Sequence, residues 1–404
     1  MRGWDEKILD ELGKVARVKS RHRPRNAEFL YGGKYPFIQT SDVNNANYRI
    51  ADYSQTYSED GLKQSRLWPK DTLCITIVAN IADTSMLGIE VCFPDSIMGF
   101  ISYDGVSDVR FVKYSFDVLQ RKIQQISQGA AQDNLSSEKL LTVKFLVPNY
   151  TTQRRIASIL SAYDDLIENN LLRIRLLEEL AQRTHEEWFV RFRVQGQQLE
   201  VDGETGLPRG WRKVKLREVV SYLSRGISPK YVQTGGIPVI NQKCIRNGEV
   251  SMFQSRLTST DTRISKEKYI QLYDVLINST GAGTLGRVAQ IISKRVSTTC
   301  DIQVSIVRAN KDLLSPLLLG FALRSQEDFI TNLGKGSTNQ LELSRNDLGE
   351  LVEIIIPDNT IAKVFNKFAK PILMLKSSLT TQNRLLREAR DILLPKLMSG
   401  EVEV

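Results

Sequence analysis

Two long stretches of the chain carry apolar residues at helical spacing. Over residues 152–192 these are Ile156, Ile159, Leu160, Tyr163, Leu166, Ile167, Ile174, Leu177, Leu180, Ala181 and Trp188. Over 361–398, Phe365, Ile372, Leu379, Leu386 and Leu393 fall seven apart, with Ile361, Phe368, Leu375 and Ala389 interleaved. A seven-residue repeat of that length predicts a coiled-coil seam. At about 1.5 Å per residue each helix reaches roughly 50–60 Å, more than a small domain requires. The simplest partner for one helix is the other, so Leu160, Ile167 and Ile174 are expected at an interface with Phe365, Ile372, Leu379 and Leu386. Asn170 and Gln382 fall on the seams. There they either fix the register at a cost in stability or sit at the seam edge in water. Pro371 is expected to kink the second helix and Pro395 to end it.

Outside the helices the pattern turns to short apolar runs, and it is written twice. "GWDEKILDELGKV", from Gly3, returns as "GWRKVKLREVVSY", from Gly210, with Trp4, Leu9 and Glu11 matching Trp211, Leu216 and Glu218. "YPFIQTSDV", from Tyr35, matches "IPVINQKCI", from Ile237, and "KDTLCITI", from Lys70, matches "YDVLINST", from Tyr273. Each half ends on an apolar, strand-like run closed by a proline, Pro148 or Pro357, ahead of a long helix. A period of half the chain is too long for a solenoid and suits a duplicated domain. The expected fold is therefore α+β: two pseudo-repeated mixed α/β domains at 1–150 and 201–357, with long antiparallel helices at 151–200 and 358–404.

"GAGTLG", with Gly281, Gly283 and Gly286, spells the G-x-G-x-x-G of nucleotide loops. A dinucleotide fingerprint needs a helix after the third glycine, whose N-terminus faces the pyrophosphate. Here "RVAQIISKRVSTT" follows, β-branched and strand-like. "ADTSMLGIEV", from Ala82, lines up as the equivalent in the first half; it keeps Gly88 but has Asp83 and Ser85 where the other glycines stand. The reading is a glycine-rich turn between two strands. No P-loop and no N-P-P-[YF] methylase motif is present.

The 404 residues carry a net charge of +9 and two histidines, His22 and His185. The charge favours a polyanionic partner. The histidine count leaves triads, H-E-x-x-H zinc sites and HNH nuclease centres poorly supplied. Cys74, Cys92, Cys244 and Cys300 are far apart and suggest neither zinc site nor disulfide framework. With no apolar run of membrane-spanning length and no signal-peptide core, no membrane is expected and a reducing cytoplasm fits.

Taken in order, the two degenerate copies, "LPRGWRKVKL" opening the second, "WFVRF" (188–192) after the central helix, and the closing "LREARDILLPKLMSGEVEV" resemble the specificity subunit of type I restriction–modification enzymes. The resemblance covers almost the whole chain. It implies a non-catalytic subunit that reads double-stranded DNA, with one target-recognition domain per half-site of a bipartite, asymmetric site. It also implies helices that act as a ruler for the unread gap and hold two methyltransferase subunits. S-adenosylmethionine would then belong to those subunits, ATP and Mg to a motor/endonuclease subunit, and no cofactor, metal or catalytic residue to this chain.

The candidate DNA-binding residues suit that role. Lys19, Arg21, Arg23 and Arg25 cluster in "KSRHRPRN" and offer phosphate contacts or a bidentate grip on guanine; a solvated basic loop is the alternative. Gln39, Thr40, Asn44 and Asn45 in "IQTSDVNN", and Asn241, Gln242, Lys243 and Arg246 in "INQKCIRN", carry the amides that suit adenine and the cations that suit guanine. Each also suits a turn cap. Lys335, Ser337, Thr338 and Asn339 lie in the polar stretch "GKGSTNQLELS". Three rival roles remain open: the specificity subunit of a type IIB or IIG enzyme, a standalone adenine-specific DNA methyltransferase, and a coiled-coil adaptor that binds no DNA.

Overall fold

The first long helix runs Tyr150–Phe189 and the second Asn359–Met398, each 40 residues. The computed structural model describes residues 3–404 apart from 21, 23, 25, 47, 79–80, 129–136, 294–295 and 337–340. The chain divides into two compact units, Met1–Leu172 with Thr381–Val404, and Arg173–Thr380. Both boundaries fall inside the helices, so each unit is a mixed α/β domain plus one end of each helix.

Within the first unit the helix ends pack antiparallel. Ile156, Ala157 and Leu160 share a core with Leu397 and Met398, and with Phe111, Tyr114 and Phe145 from the domain. Farther along, Asp164 pairs with Arg390. Asn170 donates its amide to Gln382 Oε1 at 3.0 Å and Asn383 Oδ1 at 2.9 Å. Numbers fall on one helix as they rise on the other. The second unit shows the same sense: Phe365 meets the rings of Trp188 and Phe189 at 5.8 and 5.0 Å, and Lys376 pairs with Glu178.

Leu160, Ile167, Ile174, Phe365 and Leu379 are buried, and Ile372 and Leu386 half-buried. The second row of the seam departs from expectation by one residue. It consists of Ala369, Lys376, Asn383, Arg390 and Leu397, whereas Leu375 is exposed and Phe368 and Ala389 are half-buried. A 3.5-residue repeat allows either 375 or 376 between 372 and 379, and burial shows that the helix uses 376. Reading by hydrophobicity skips this row because three of its members are polar. For the same reason Asn383, not the exposed Gln382, is the buried seam amide. On the first helix the polar Asp164, Asn170 and His185 are buried, while Ile159, Leu166 and Leu180 face outward.

Neither proline stops the second helix. It continues through Pro371, and through Pro395 to Met398, with the Ser399 N–H donating to the Pro395 carbonyl at 2.9 Å. Proline removes only its own N–H, and both prolines are exposed, so water can serve the carbonyl one turn back.

The duplication is visible strand by strand. In the first unit Trp4–Lys7 pairs antiparallel with Phe145–Pro148; in the second Arg212–Lys215 pairs with Glu353–Ile356. A one-turn helix follows each opening strand, with Leu9 or Leu216 fully buried. The first main sheet has the order Gly13–Arg17, Ile97–Ser102, Leu73–Thr76, Thr84–Leu87, Arg49–Ile50, antiparallel until its last, parallel pair. The second has Val220–Arg225, Val304–Ala309, Val275–Asn278, Val288–Gln290, all antiparallel. The apolar alternation that forms these strands also fills the two cores. Arg49, at the edge of the first sheet, is tied to the helix by Asp165 at 2.6 Å and Glu168 at 2.8 Å. The four cysteines are buried and form no disulfide among the described residues.

Candidate nucleic-acid interface

In the second unit three of the sequence's candidate loops meet. The strand Ile237–Ile240 ends at Asn241, whose Oδ1 accepts from the Lys243 N–H at 2.8 Å and whose Nδ2 donates to the Gln254 carbonyl at 2.7 Å. Asn241 is buried, and both its polar atoms are used inside the chain. It caps and braces the loop, and its side chain is not on the surface where a base would lie. Gln242 is half-buried; Lys243 and Arg246 are exposed.

Against this loop lies the glycine turn. The strands Val275–Asn278 and Val288–Gln290 form an antiparallel hairpin, so the third glycine leads into a strand. Gly281, Gly283 and Gly286 take φ of +108°, +69° and +83°, the left-handed region that glycine adopts without strain. Asn278 Nδ2 donates to the carbonyls of Gln242 and Thr284, both at 3.0 Å, and stitches the two loops together. The Arg287 guanidinium donates to the Gly283 carbonyl at 2.8 Å. These groups are spent on holding the turn.

The first half's hairpin corrects the sequence alignment. Its strands are Leu73–Thr76 and Thr84–Leu87, with Cys74 opposite Ser85. Ser85 is a strand residue, and Gly88 lies beyond the strand, its N–H donating to the Ile50 carbonyl at 2.9 Å. The connection in the second copy, 279–287, is longer than that in the first, whereas the sequence alignment shortens it and so lays turn residues on strand residues.

The third loop joins through the Leu343 N–H, which donates to the Ser279 carbonyl at 2.8 Å. Lys335 is exposed, but its ammonium is 2.9 Å from Asp347. Ser337, Thr338 and Asn339 lie outside the described residues.

The first unit has the counterpart of the Asn241 loop. Gln39 ends the strand run Tyr31–Phe37 and precedes the short helix Thr40–Asn45, which it opens with a 2.7 Å bond from its N–H to Asp42 Oδ2. Its Nε2 donates to Gln55 Oε1 at 2.8 Å. Gln39, Asn44 and Asn45 are exposed and Thr40 is half-exposed, with Val43 turned into the core. Lys19 is exposed just after the strand Gly13–Arg17. Arg21, Arg23 and Arg25 lie outside the described residues.

Sequence reasoning missed the groove beside Gln242 and Lys243. It measures about 330 Å³ and is lined also by Tyr231, Phe253, Arg256, Asp301 and Gln303. The Arg256 guanidinium lies 3.4 Å over the Tyr231 ring. Burial pushes the Asp301 carboxyl up to about 6. Phe253 is 90% exposed. The available signal was a lone aromatic in the polar stretch "SMFQSRLTST".

Two copies of one mixed α/β domain, each presenting polar and charged side chains from its loops and each packed on long antiparallel helices, define a protein of DNA target recognition. A family model described as the type I restriction modification DNA specificity domain matches residues 1–179 and 208–382, and the chain belongs to that family as a specificity subunit. It is 26% identical over 418 residues to the type I restriction enzyme MjaIX specificity subunit of Methanocaldococcus jannaschii, across 99% of this chain and 94% of that one. To the HindI specificity subunit of Haemophilus influenzae it is 23% identical, across 68% and 72% respectively. The crystal structure of the type I restriction–modification S subunit from M. genitalium superposes with a TM-score of 0.60 at 16% identity, covering 98% and 96% of the two chains. Among the described residues no helix is long and apolar enough to cross a membrane.

Proposed function

We propose that the subunit is a non-catalytic reader of a bipartite, asymmetric DNA site, each domain taking one half-site. The single observation that supports this most is the duplicated loop at Gln39 and Asn241. The same strand-to-helix corner carries exposed Asn44 and Asn45 in one copy and exposed Lys243 and Arg246 in the other. Asn44 aligns with Arg246, so one equivalent, exposed position carries an amide in the first copy and a cation in the second, which suits two different half-sites.

Methyltransferase subunits are the proposed partners of the helices. In the first unit Ile159, Leu166, Leu172, Leu385 and Ile392 are exposed on the helix ends; in the second Leu176, Leu180 and Met374 are. Apolar residues repeated along an outer helix face mark a protein interface. In this reading those subunits carry S-adenosylmethionine and flip the adenine, a further motor/endonuclease subunit carries ATP and Mg, and the assembly works in the cytoplasm.

Reconstitution tests the assignment. The purified chain is expected to transfer no methyl group from S-adenosylmethionine and to show no heat of binding for it. Added to methyltransferase subunits, it is expected to confer methylation at one defined sequence. Methyl transfer by the chain alone would contradict the reading and favour a standalone methyltransferase.

A further inference from the structure

Among the described residues no large hydrophobic side chain is more exposed than Phe253, at 90%. It does not hang from a loose loop. It sits on the single 3-10 turn Met252–Gln254, with its N–H donating to Ser251 Oγ at 3.4 Å. The N–H of Ser255 closes the turn on the Met252 carbonyl at 3.0 Å, and its hydroxyl donates to the same carbonyl at 2.6 Å. Asn241 braces the next residue through the Gln254 carbonyl. Met252 points the other way and packs against the core around Ile240 and Cys244. The turn is thus anchored on one side and holds a bare aromatic ring in water on the other.

The ring's surroundings say what would cover it. It stands at the rim of the groove lined by Gln242, Lys243, Arg256, Asp301 and Gln303, two cations against one carboxyl group, with Arg256 laid over Tyr231. Lys243 and Arg256 are exposed cations beside it, which complements a polyanion better than an apolar protein partner. Amides and cations around a shallow groove are the chemistry that reads base edges in the major groove. The apolar feature of that surface is the thymine 5-methyl group. An intercalating wedge, by contrast, enters between base steps from the minor groove, and hydrogen-bonding neighbours at its flank would hinder it.

We propose that Phe253 is a specificity-determining residue that packs against the 5-methyl group of a thymine in the half-site read by the second domain. The inference rests on the DNA-reading role proposed above. The stacked Tyr231–Arg256 pair and Gln242 then address the neighbouring base edges and phosphates.

Competitive selection from random duplexes, using the full chain, tests it. Phe253→Ala is expected to lose preference at one thymine by about four- to tenfold, the worth of one methyl-sized contact with an aromatic face. Its melting temperature and the salt dependence of binding should not change, since the ring is exposed and carries no charge. Replacing that thymine by deoxyuridine should weaken the wild type by a similar factor and the variant hardly at all. A variant that keeps the full wild-type preference overturns the proposal. So does a loss at a position indifferent to deoxyuridine, which would indicate stacking or wedging. A wild-type chain without any sequence preference would instead overturn the DNA-reading role itself.

Discussion

Asn170 and Asn383 meet on the buried seam of the first unit, the amide of one donating to the carbonyl oxygen of the other at 2.9 Å. Seven residues on, Arg390 finds Asp164. In the second unit Lys376, seven residues before Asn383, finds Glu178 and also Glu249 at 3.1 Å. Within the first unit the two pairs, seven residues apart on the second helix, fit one antiparallel register. Any other alignment would bury a charge or an amide against an unsuitable partner.

Asn170→Ala leaves the Asn383 amide buried without that partner, and should cost about 1–3 kcal/mol. Replacing Asn170 and Asn383 together by Leu should be neutral or stabilising, because both desolvation penalties vanish. Thermal denaturation of the two variants checks this. Equal losses in both would show that the pair contributes packing alone.

The glycine turn makes a graded prediction. A Cβ at Gly283 meets nothing within 4 Å, so Gly283→Ala carries only the strain of a positive φ, about 1 kcal/mol. A Cβ at Gly286 would land on Thr331, and Gly286→Ala should cost about 2–4 kcal/mol. Neither change should alter the response of the isolated chain to S-adenosylmethionine. Urea unfolding gives the ranking, and a reversed order would contradict the turn geometry.

These outcomes mark what the sequence could and could not reveal. The duplication, the closing strands at Pro148 and Pro357 and the long helices were legible because apolar periodicity and turn residues encode them locally. The polar row of the seam was not, since Lys376 and Arg390 look like solvated charges until their partners, some 200 residues away in the chain, are known. Asn241 was visible as a candidate, but its use as a brace depends on Gln254, and no local pattern announces that contact. Phe253 was hidden for the opposite reason: a hydrophobic residue in a short segment is read as core by default.

His185 supplies a pH dependence. It is buried on the first helix between Phe189, Phe321 and Phe365, and burial lowers its pKa from about 6.5 to about 3. A depressed folded-state value means the neutral ring is favoured in the fold. Its contribution is complete above pH 6.5 and is lost as pH falls toward 3, at up to about 1.4 kcal/mol per pH unit. The second unit should therefore lose about 2 kcal/mol between pH 6.5 and 5 on this account. His185→Phe should flatten that interval when melting is followed against pH. The same slope in wild type and variant would place the acid sensitivity elsewhere.

The most direct measurement is the sequence the full chain selects from random duplex DNA, read by sequencing the bound fraction. Two different short motifs separated by an unread gap of constant length are expected. Their enrichment should fall steeply with salt, as phosphate neutralisation requires. A single uninterrupted motif, two identical half-sites, or no enrichment above background would contradict a protein whose two domains each read their own half of one site.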